Sequence, residues 1–243
     1  MIEHSNKRYD NDLESMRSEL LRMGGIVESM IQDAINALDT GDFELISRVL
    51  DNEKQVNDLE VALDKHIAEI IAKNQPTAID LRLLISALKM LTDMERSGDE
   101  AEKVAKMARR LYENHKNYEP LVELRHIGQL VISMLHKLLD AFARNDAVVA
   151  AEVVRGDKQV DKEWKTLLRT LSSYLIEDPR NTTETIDLIF IARSLERIGD
   201  HVKNMAERII YLVQGEDVRH TGVKNAERVA RGIETTTDEA EQS

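Results

Sequence analysis

The chain has 243 residues, 42% of them hydrophobic, and its 33 basic and 45 acidic residues give a formal net charge of −12. This length suits one or two domains with a sizeable core. Because there are only three prolines, one tryptophan, five tyrosines and three phenylalanines, the composition argues against a β-sandwich or β-barrel. The absence of cysteine excludes disulfides, thiol nucleophiles, zinc ribbons and iron–sulfur centres.

The charge also bears on partners and compartment. A net charge of −12 repels a phosphodiester backbone, and no basic run with interleaved aromatic residues offsets it, so we expect no direct nucleic acid binding. No stretch approaches the length of an apolar membrane span, and the first residues lack a signal pattern. We therefore expect a cytoplasmic protein.

Six long segments, separated by five polar breaks, carry apolar residues at every third or fourth position, which is the helical period. Three of the breaks contain the three prolines, which a helix interior does not tolerate. The pattern predicts an all-α chain with helices at residues 8–38, 43–73, 78–114, 120–143, 147–176 and 183–213. Since short connections make long helices antiparallel neighbours, we expect a helical bundle.

Two short motifs occur twice and indicate an internal duplication. Residues 53–57 match residues 157–161 at an offset of 104, and the E-R-x-G-D motif at 95–99 recurs at 196–200, at an offset of 101. The chain is therefore predicted to form two tandem, similar three-helix bundles, at 8–116 and 119–213. Beyond them, the polar residues 214–243 are expected to be disordered.

Each E-R-x-G-D motif places two carboxylates one helical turn apart on the same face, where like charges repel. Such pairs are common by chance in so acidic a chain, and only their recurrence at matching positions makes these notable. The glycine inside each motif, Gly98 or Gly199, is unfavourable in a helix and suggests that another helix passes close by. In each copy the preceding helix supplies a second oxygen-bearing pair. The eight residues are Glu53, Asn57, Glu95, Asp99, Asp157, Asp161, Glu196 and Asp200.

Two helices that each present an oxygen pair can surround a metal ion, as they do in the cores of metal-binding bundles. Oxygen donors suit Mg²⁺, Mn²⁺, Ca²⁺ or iron, and donor type alone leaves the identity open. The alternative is that Arg96 and Arg197, inside the motifs, neutralise the carboxylates and no metal binds. We expect His201 to be solvated or hydrogen-bonded rather than a ligand, because Glu100 stands at the matching position.

Beyond these patterns, the sequence resembles the PhoU family of accessory and regulatory proteins of bacterial phosphate-specific transport over roughly residues 10–220. The resemblance is carried by both E-R-x-G-D helices, the duplication, and the segments Met23-Gly24-Gly25, Gln75-Pro76-Thr77-Ala78, Asp80-Leu81-Arg82-Leu83 and Leu138–Arg144. It implies two three-helix bundles, a homodimer, cytoplasmic residence and peripheral membrane association through the phosphate transporter.

The resemblance also implies a function. Family members act as negative regulators, which restrain uptake and hold the phosphate-starvation response, the Pho regulon, off when phosphate is plentiful. They do so through contacts with the ATPase subunit of the phosphate ABC transporter and with a phosphate-sensing histidine kinase. Some members hold multinuclear metal clusters on motifs that map onto the eight residues named above, so divalent or trivalent ions such as Mn, Mg, Zn or Fe are expected. Asn57 departs from the acidic pattern, and its neutral amide is a weaker ligand.

Two classes of function remain. The chain shows no nucleophile, phosphate-binding loop or metalloprotease motif, so we expect a regulatory adaptor and not an enzyme. The alternative is a di-metal carboxylate bundle for metal storage or oxidation. An oxidation centre needs an open coordination position in a pocket, whereas an adaptor can carry its acidic faces on the bundle surface.

Overall fold

The computed structural model describes residues 7–114, 119–177, 180 and 182–233, and these residues contain helices but no strand. The helices are α1 (Lys7–Thr40), α2 (Phe43–Asn74), α3 (Ala78–Asn114), α4 (Val122–Arg144), α5 (Ala147–Glu177), α6 (Thr182–Gln214) and α7 (Val223–Ala230). The six predicted helices are confirmed, with ends displaced by at most two residues. Residue 116, the predicted end of the first bundle, lies outside the described residues.

The helix ends follow local sequence signals. The carboxylate of Asp42 accepts a hydrogen bond of 2.9 Å from the backbone N–H of Glu44 and so caps α2. The carboxylate of Asp146 caps α5 by accepting hydrogen bonds of 3.0 Å from two backbone N–H groups. Gln75 (φ 46°) and Asn145 (φ 54°) take the left-handed conformation at the ends of α2 and α4.

The prediction of two tandem three-helix bundles is confirmed. Helices α1, α2 and α3 pack together, as do α4, α5 and α6. The two bundles join where α3 packs along α6 and α1 packs along α4, which leaves α2 and α5 on opposite outer sides. Five methionines at helical spacing lie fully inside the core, namely Met16, Met23, Met30, Met90 and Met94. None of the described helices is apolar enough over the needed length to cross a bilayer.

Helices α1 and α4 approach each other closely at two glycines. A Cβ atom built on Gly128 of α4 would lie 2.5 Å from Cδ1 of Ile35 in α1, and one on Gly24 of α1 would overlap Leu139 of α4 in the same way. Both contacts are related by the repeat offset of 104. The two bundles therefore meet around a local two-fold axis, with one glycine contact on each side.

The expectation of a disordered tail is wrong for residues 214–233. Helix α7 packs on α5 and α6 and buries Ala226, Val229 and Ala230, which share one helical face. Arg155 Nε of α5 donates a hydrogen bond of 2.5 Å to the carboxylate of Glu227. Residues 214–243 are polar on average, and this average hides the short apolar face of α7. Residues 234–243, also part of the predicted tail, lie outside the described residues.

Candidate metal sites

The structure places the eight predicted residues in two groups. The first cluster consists of Glu53 and Asn57 of α2 with Glu95 and Asp99 of α3, and the second cluster of Asp157 and Asp161 of α5 with Glu196 and Asp200 of α6. Within the first cluster the charge of Glu53 acts on Glu95, and within the second the charges of Asp157 and Asp161 act on Glu196. Each predicted set is thus brought together between two neighbouring helices.

The motif glycines account for the closeness of these helices. A Cβ atom on Gly199 would lie 3.3 Å from Cγ1 of Val160 in α5, which is a tight contact. On Gly98 it would lie 3.5 Å from Cγ1 of Val56 in α2, an ordinary van der Waals distance. Val56 and Val160 are equivalent under the repeat offset. The expected close approach is therefore present at Gly199, whereas a Cβ atom at Gly98 would make only ordinary contacts.

In the first cluster the amide of Asn57 donates a short hydrogen bond to Oε1 of Glu53. Burial raises the pKa of Glu95, and the negative charges of Asp99, Glu60 and Glu53 raise it further, whereas the charge of Arg96 lowers it. The amide therefore offsets part of the negative charge on α2, whereas the Glu95 carboxylate remains among other acids.

Glu60 is a member of this acidic group that the sequence analysis missed. It follows Glu53 by seven residues and Asn57 by three, so it lies on the same face of α2. That spacing could have identified it. A comparison of the two copies does not reveal Glu60, because Trp164 occupies the equivalent place in the second copy.

In the second cluster Lys203 of α6 lies 2.8 Å from Oδ2 of Asp157. Asp157 is only 4% exposed. Burial raises the pKa of Asp157, the contact with Lys203 lowers it, and the charges of Asp200 and Asp161 raise it again. Lys203 was not predicted as part of the site, and it supplies a positive charge where a metal ion would otherwise do so.

Glu196 is 7% exposed and is unevenly partnered. Its Oε1 accepts a hydrogen bond of 2.5 Å from Nη1 of Arg193, whereas the buried Oε2 has no hydrogen-bond partner among the described residues. Burial is the main cause that raises the pKa of Glu196, followed by the charge of Asp200. A buried acceptor left unpaired is costly, so this oxygen favours a proton or a cation.

Of the two motif arginines, Arg96 acts on a motif carboxylate, because its charge lowers the pKa of Glu95. Nη1 of Arg197 lies 3.0 Å from Oε1 of Glu100 in the other bundle. Arg96 forms no hydrogen bond or ion pair within the described part of the chain. In the second cluster the neutralising charges come from Arg193 and Lys203, which lie about three turns apart on α6.

The expectation for His201 is confirmed, because its Nδ1 lies 2.9 Å from Oδ1 of Asp93 in α3. This contact joins the two bundles. The imidazole is therefore directed at Asp93 and not at the second cluster.

The donor chemistry fits a hard cation. The carboxylates of Asp161, Glu196 and Asp200 and the unpaired Oε2 of Glu196 are the oxygen donors that Mg²⁺ or Mn²⁺ prefers. As they stand, the described His, Asp and Glu side chains form no ready-made group of three or more around one point. Metal binding in the second cluster would therefore require side-chain rotation, with Lys203 leaving Asp157.

A cavity of about 350 Å³ lies elsewhere, where α1, α3, α4 and α6 meet. Leu13, Leu83 and Leu212 line it together with Arg17 and Asp80, and none of the eight predicted metal residues is among the described residues that line it. The residues of the acidic clusters thus lie between paired helices, apart from this cavity.

Comparison with known proteins identifies the architecture. The PhoU domain matches this chain twice, at residues 20–108 and 124–209. The chain belongs to the PhoU family. Each matched range falls within one of the three-helix bundles, so the PhoU domain and the internal duplication describe the same unit.

Similar PhoU proteins cover nearly the whole chain. The phosphate-specific transport system accessory protein PhoU homolog of Pseudomonas aeruginosa is 47% identical over 223 residues, which is 92% of each chain. The PhoU of Escherichia coli is 41% identical over 230 residues, covering 94% of this chain and 95% of that protein.

Solved PhoU structures share the fold. The crystal structure of PhoU from Pseudomonas aeruginosa superposes with a TM-score of 0.83 at 48% identity, covering 86% of this chain and 100% of that one. The phosphate transport system regulatory protein PhoU from Streptococcus pneumoniae gives a TM-score of 0.79 at 28% identity, with 86% and 99% coverage.

Proposed function

We propose that this chain is a cytoplasmic accessory protein of phosphate-specific transport, which restrains phosphate uptake and the phosphate-starvation response when phosphate is plentiful. The observation that carries the proposal is the near full-length identity to accessory proteins of that transport system, at 47% over 92% of both chains. The similarity to the phosphate transport system regulatory protein PhoU of Streptococcus pneumoniae supports the same role.

The proposed regulator acts by binding proteins as a homodimer. Its partners are the ATPase subunit of the phosphate transporter and the phosphate-sensing histidine kinase. Six helices of 23 to 37 residues support this mode of action, since rods of that length offer extended surfaces for docking. The chain has no catalytic role in this proposal.

We also propose that the two acidic clusters bind divalent or trivalent metal ions, with Mn, Mg, Zn and Fe as candidates. The unpaired Oε2 of Glu196 and the raised pKa values of Glu95 and Asp157 support this proposal. Burial is the main cause that raises both pKa values and the neighbouring acids add to it, and a bound cation would stabilise the charged carboxylates against both. The ions would have a structural role and stabilise the contact between paired helices. The storage or oxidation alternative is less favoured, because the relatives that cover nearly the whole chain are accessory proteins of phosphate transport.

The test is a gene deletion in the source bacterium, grown with abundant phosphate. The deletion is expected to raise phosphate uptake and to leave a starvation-gene reporter on, and the wild-type gene on a plasmid is expected to restore both. Unchanged uptake together with a reporter that still switches off at high phosphate would contradict the proposed function.

A further inference from the structure

The exposed sides of α3 and α6 form one basic face on this acidic chain. Its exposed basic residues are Lys89, Arg96, Lys103 and Arg110 of α3 and Arg193 and Arg197 of α6. Between residues 81 and 110 of α3, and between 182 and 204 of α6, no exposed residue is acidic. We call this surface the α3/α6 face.

A shared partner shows that the two rows of cations lie on the same side. Glu100, buried between the helices, accepts hydrogen bonds from Nζ of Lys103 at 2.9 Å and from Nη1 of Arg197 at 3.0 Å. Further along, Nε of Arg110 donates a hydrogen bond of 2.8 Å to Oδ2 of Asp187. The helices are thus antiparallel, and the cations of both reach the same surface.

The acids of this region lie beneath the cations. The side chains of Glu100 and Asp187 are 5% and 2% exposed, while those of Arg110 and Arg197 are each 53% exposed. Lys89 and Arg96 form no ion pair within the described residues. An approaching molecule would therefore meet positive charge first, and two of these charges form no ion pair with the residues that the structure describes.

The spacing of the cations on α3 indicates the shape of the occupant. Lys89, Arg96, Lys103 and Arg110 follow one another at intervals of seven residues, or about 10.5 Å along the helix. Seven residues is the interval at which two helices lying side by side repeat their contacts. Exposed Ile85 and Phe190 add apolar surface on the same two helices.

Charge argues against a second copy of the chain on this face. A symmetric dimer contact would place the α3/α6 face against itself and bring its cations together. An anionic membrane would be attracted as well, but a fluid lipid surface does not require a seven-residue interval.

We infer that the α3/α6 face docks an acidic amphipathic helix of a partner protein, with Asp or Glu at seven-residue intervals and apolar residues between them. The inference rests on the proposed function only in that the regulator acts through protein contacts. It adds the surface and the chemistry of the partner.

The binding test uses a designed four-heptad helix with glutamate at one position of every heptad, labelled for fluorescence anisotropy. Wild-type protein is expected to bind it more weakly as salt rises. The double variant Lys89→Glu, Arg96→Glu is expected to bind at least tenfold more weakly, and Lys89→Gln, Arg96→Gln by an intermediate factor. Both side chains are exposed and form no hydrogen bond among the described residues, so both variants should fold. Because the charge of Arg96 acts on Glu95, the single variant Lys89→Glu, which leaves that charge in place, is included and is expected to weaken helix binding in the same direction. The matched control Lys65→Glu, Arg169→Glu changes the net charge equally on α2 and α5 and is expected to bind like wild type.

Three results would overturn the inference. One is no binding of the designed helix by wild type at low salt, and another is equal weakening by the control variant. The third is that the Lys89→Glu, Arg96→Glu change abolishes co-sedimentation with phosphatidylglycerol vesicles, or alters the mass in light scattering, without affecting helix binding. The third outcome would assign the face to lipid or to self-association.

A complementation test separates this inference from the proposed function. In the deletion strain, wild type and the Lys65→Glu, Arg169→Glu control are expected to restore repression, whereas Lys89→Glu, Arg96→Glu is not. If the face variant restores repression fully, the inference fails and the proposed function stands. If the deletion itself has no effect on uptake or the reporter, the proposed function fails, whatever the helix-binding result.

Discussion

Gly128 of α4 lies directly beneath the side chain of Ile35 of α1, so that a Cβ atom there would come within 2.5 Å of Cδ1. Ile35 is buried in the core and has little room to move. The contact shows that the two bundles are joined by helices whose backbones approach more closely than an alanine would permit.

The first prediction follows from that contact. Gly128→Ala should lower the free energy of unfolding by up to about 2 kcal/mol, because the overlap costs about 1–3 kcal/mol and the gain in helix propensity returns about 1. Gly25→Ala is the control, since a Cβ atom there meets nothing within 4 Å. It should raise stability by up to about 1 kcal/mol. Urea unfolding of both variants measures these changes in the free energy of unfolding. A stabilised Gly128→Ala protein would show that the Ile35 side chain can move aside.

The second prediction concerns Lys203, whose ammonium group lies 2.8 Å from Asp157. Lys203→Met should lower the free energy of unfolding by about 2 kcal/mol without metal, less than for a fully buried pair because Lys203 is partly exposed. Excess MnCl₂ should recover much of this loss if a cation can replace the ammonium group. The exposed Lys158→Met serves as the control. Equal losses with and without Mn²⁺ would argue against a metal in the second cluster.

The third prediction concerns pH and Glu196. Its pKa is raised in the folded protein, mainly by burial. The stability that it contributes is therefore fully present below the unfolded pKa, about 4.3, and is lost as pH rises through the folded pKa. Glu196→Gln should be more stable than wild type at pH 7 without metal and should flatten the fall in melting temperature above pH 4. Glu113→Gln, at an exposed position, should leave the wild-type profile unchanged.

The fourth prediction is metal-dependent stabilisation. Mn²⁺ at a hundredfold excess over its Kd should raise the free energy of unfolding by about 2.7 kcal/mol, since it binds the folded chain. Asp200→Asn should reduce that shift. The second cluster should bind more tightly than the first, because Asp161 is charged where Asn57 is neutral. If Mn²⁺, Zn²⁺ and iron all leave the melting curve of the metal-free wild type unchanged, this result would count against metal binding as a whole.

Much of the fold was predictable because the six main helices are long and repeat their apolar pattern many times. The eight-residue α7 was not, since two turns give a short pattern and its surroundings are polar. Ala226 and Val229 are buried because α7 packs on α5. The sequence of α7 alone does not indicate that contact.

The members of the two clusters were predictable for a different reason, namely their recurrence at matching positions of two copies. The neutralising residues were harder. Arg193 and Glu196 are three residues apart, a spacing that helix geometry alone could have suggested. Lys203 and Asp157 lie on different helices, so their contact depends on how far α6 is shifted along α5, which no local pattern records.

The local two-fold axis between the bundles has a consequence for how the two halves could diverge. Two identical three-helix subunits related by such an axis would have to carry the same acidic cluster twice. Joined in one chain, each half accepts substitutions separately, and here Asn57 has Asp161 as its counterpart, while Glu102 has Lys203. One polypeptide can therefore present two unlike cation environments on a symmetric frame, which a dimer of identical subunits cannot do.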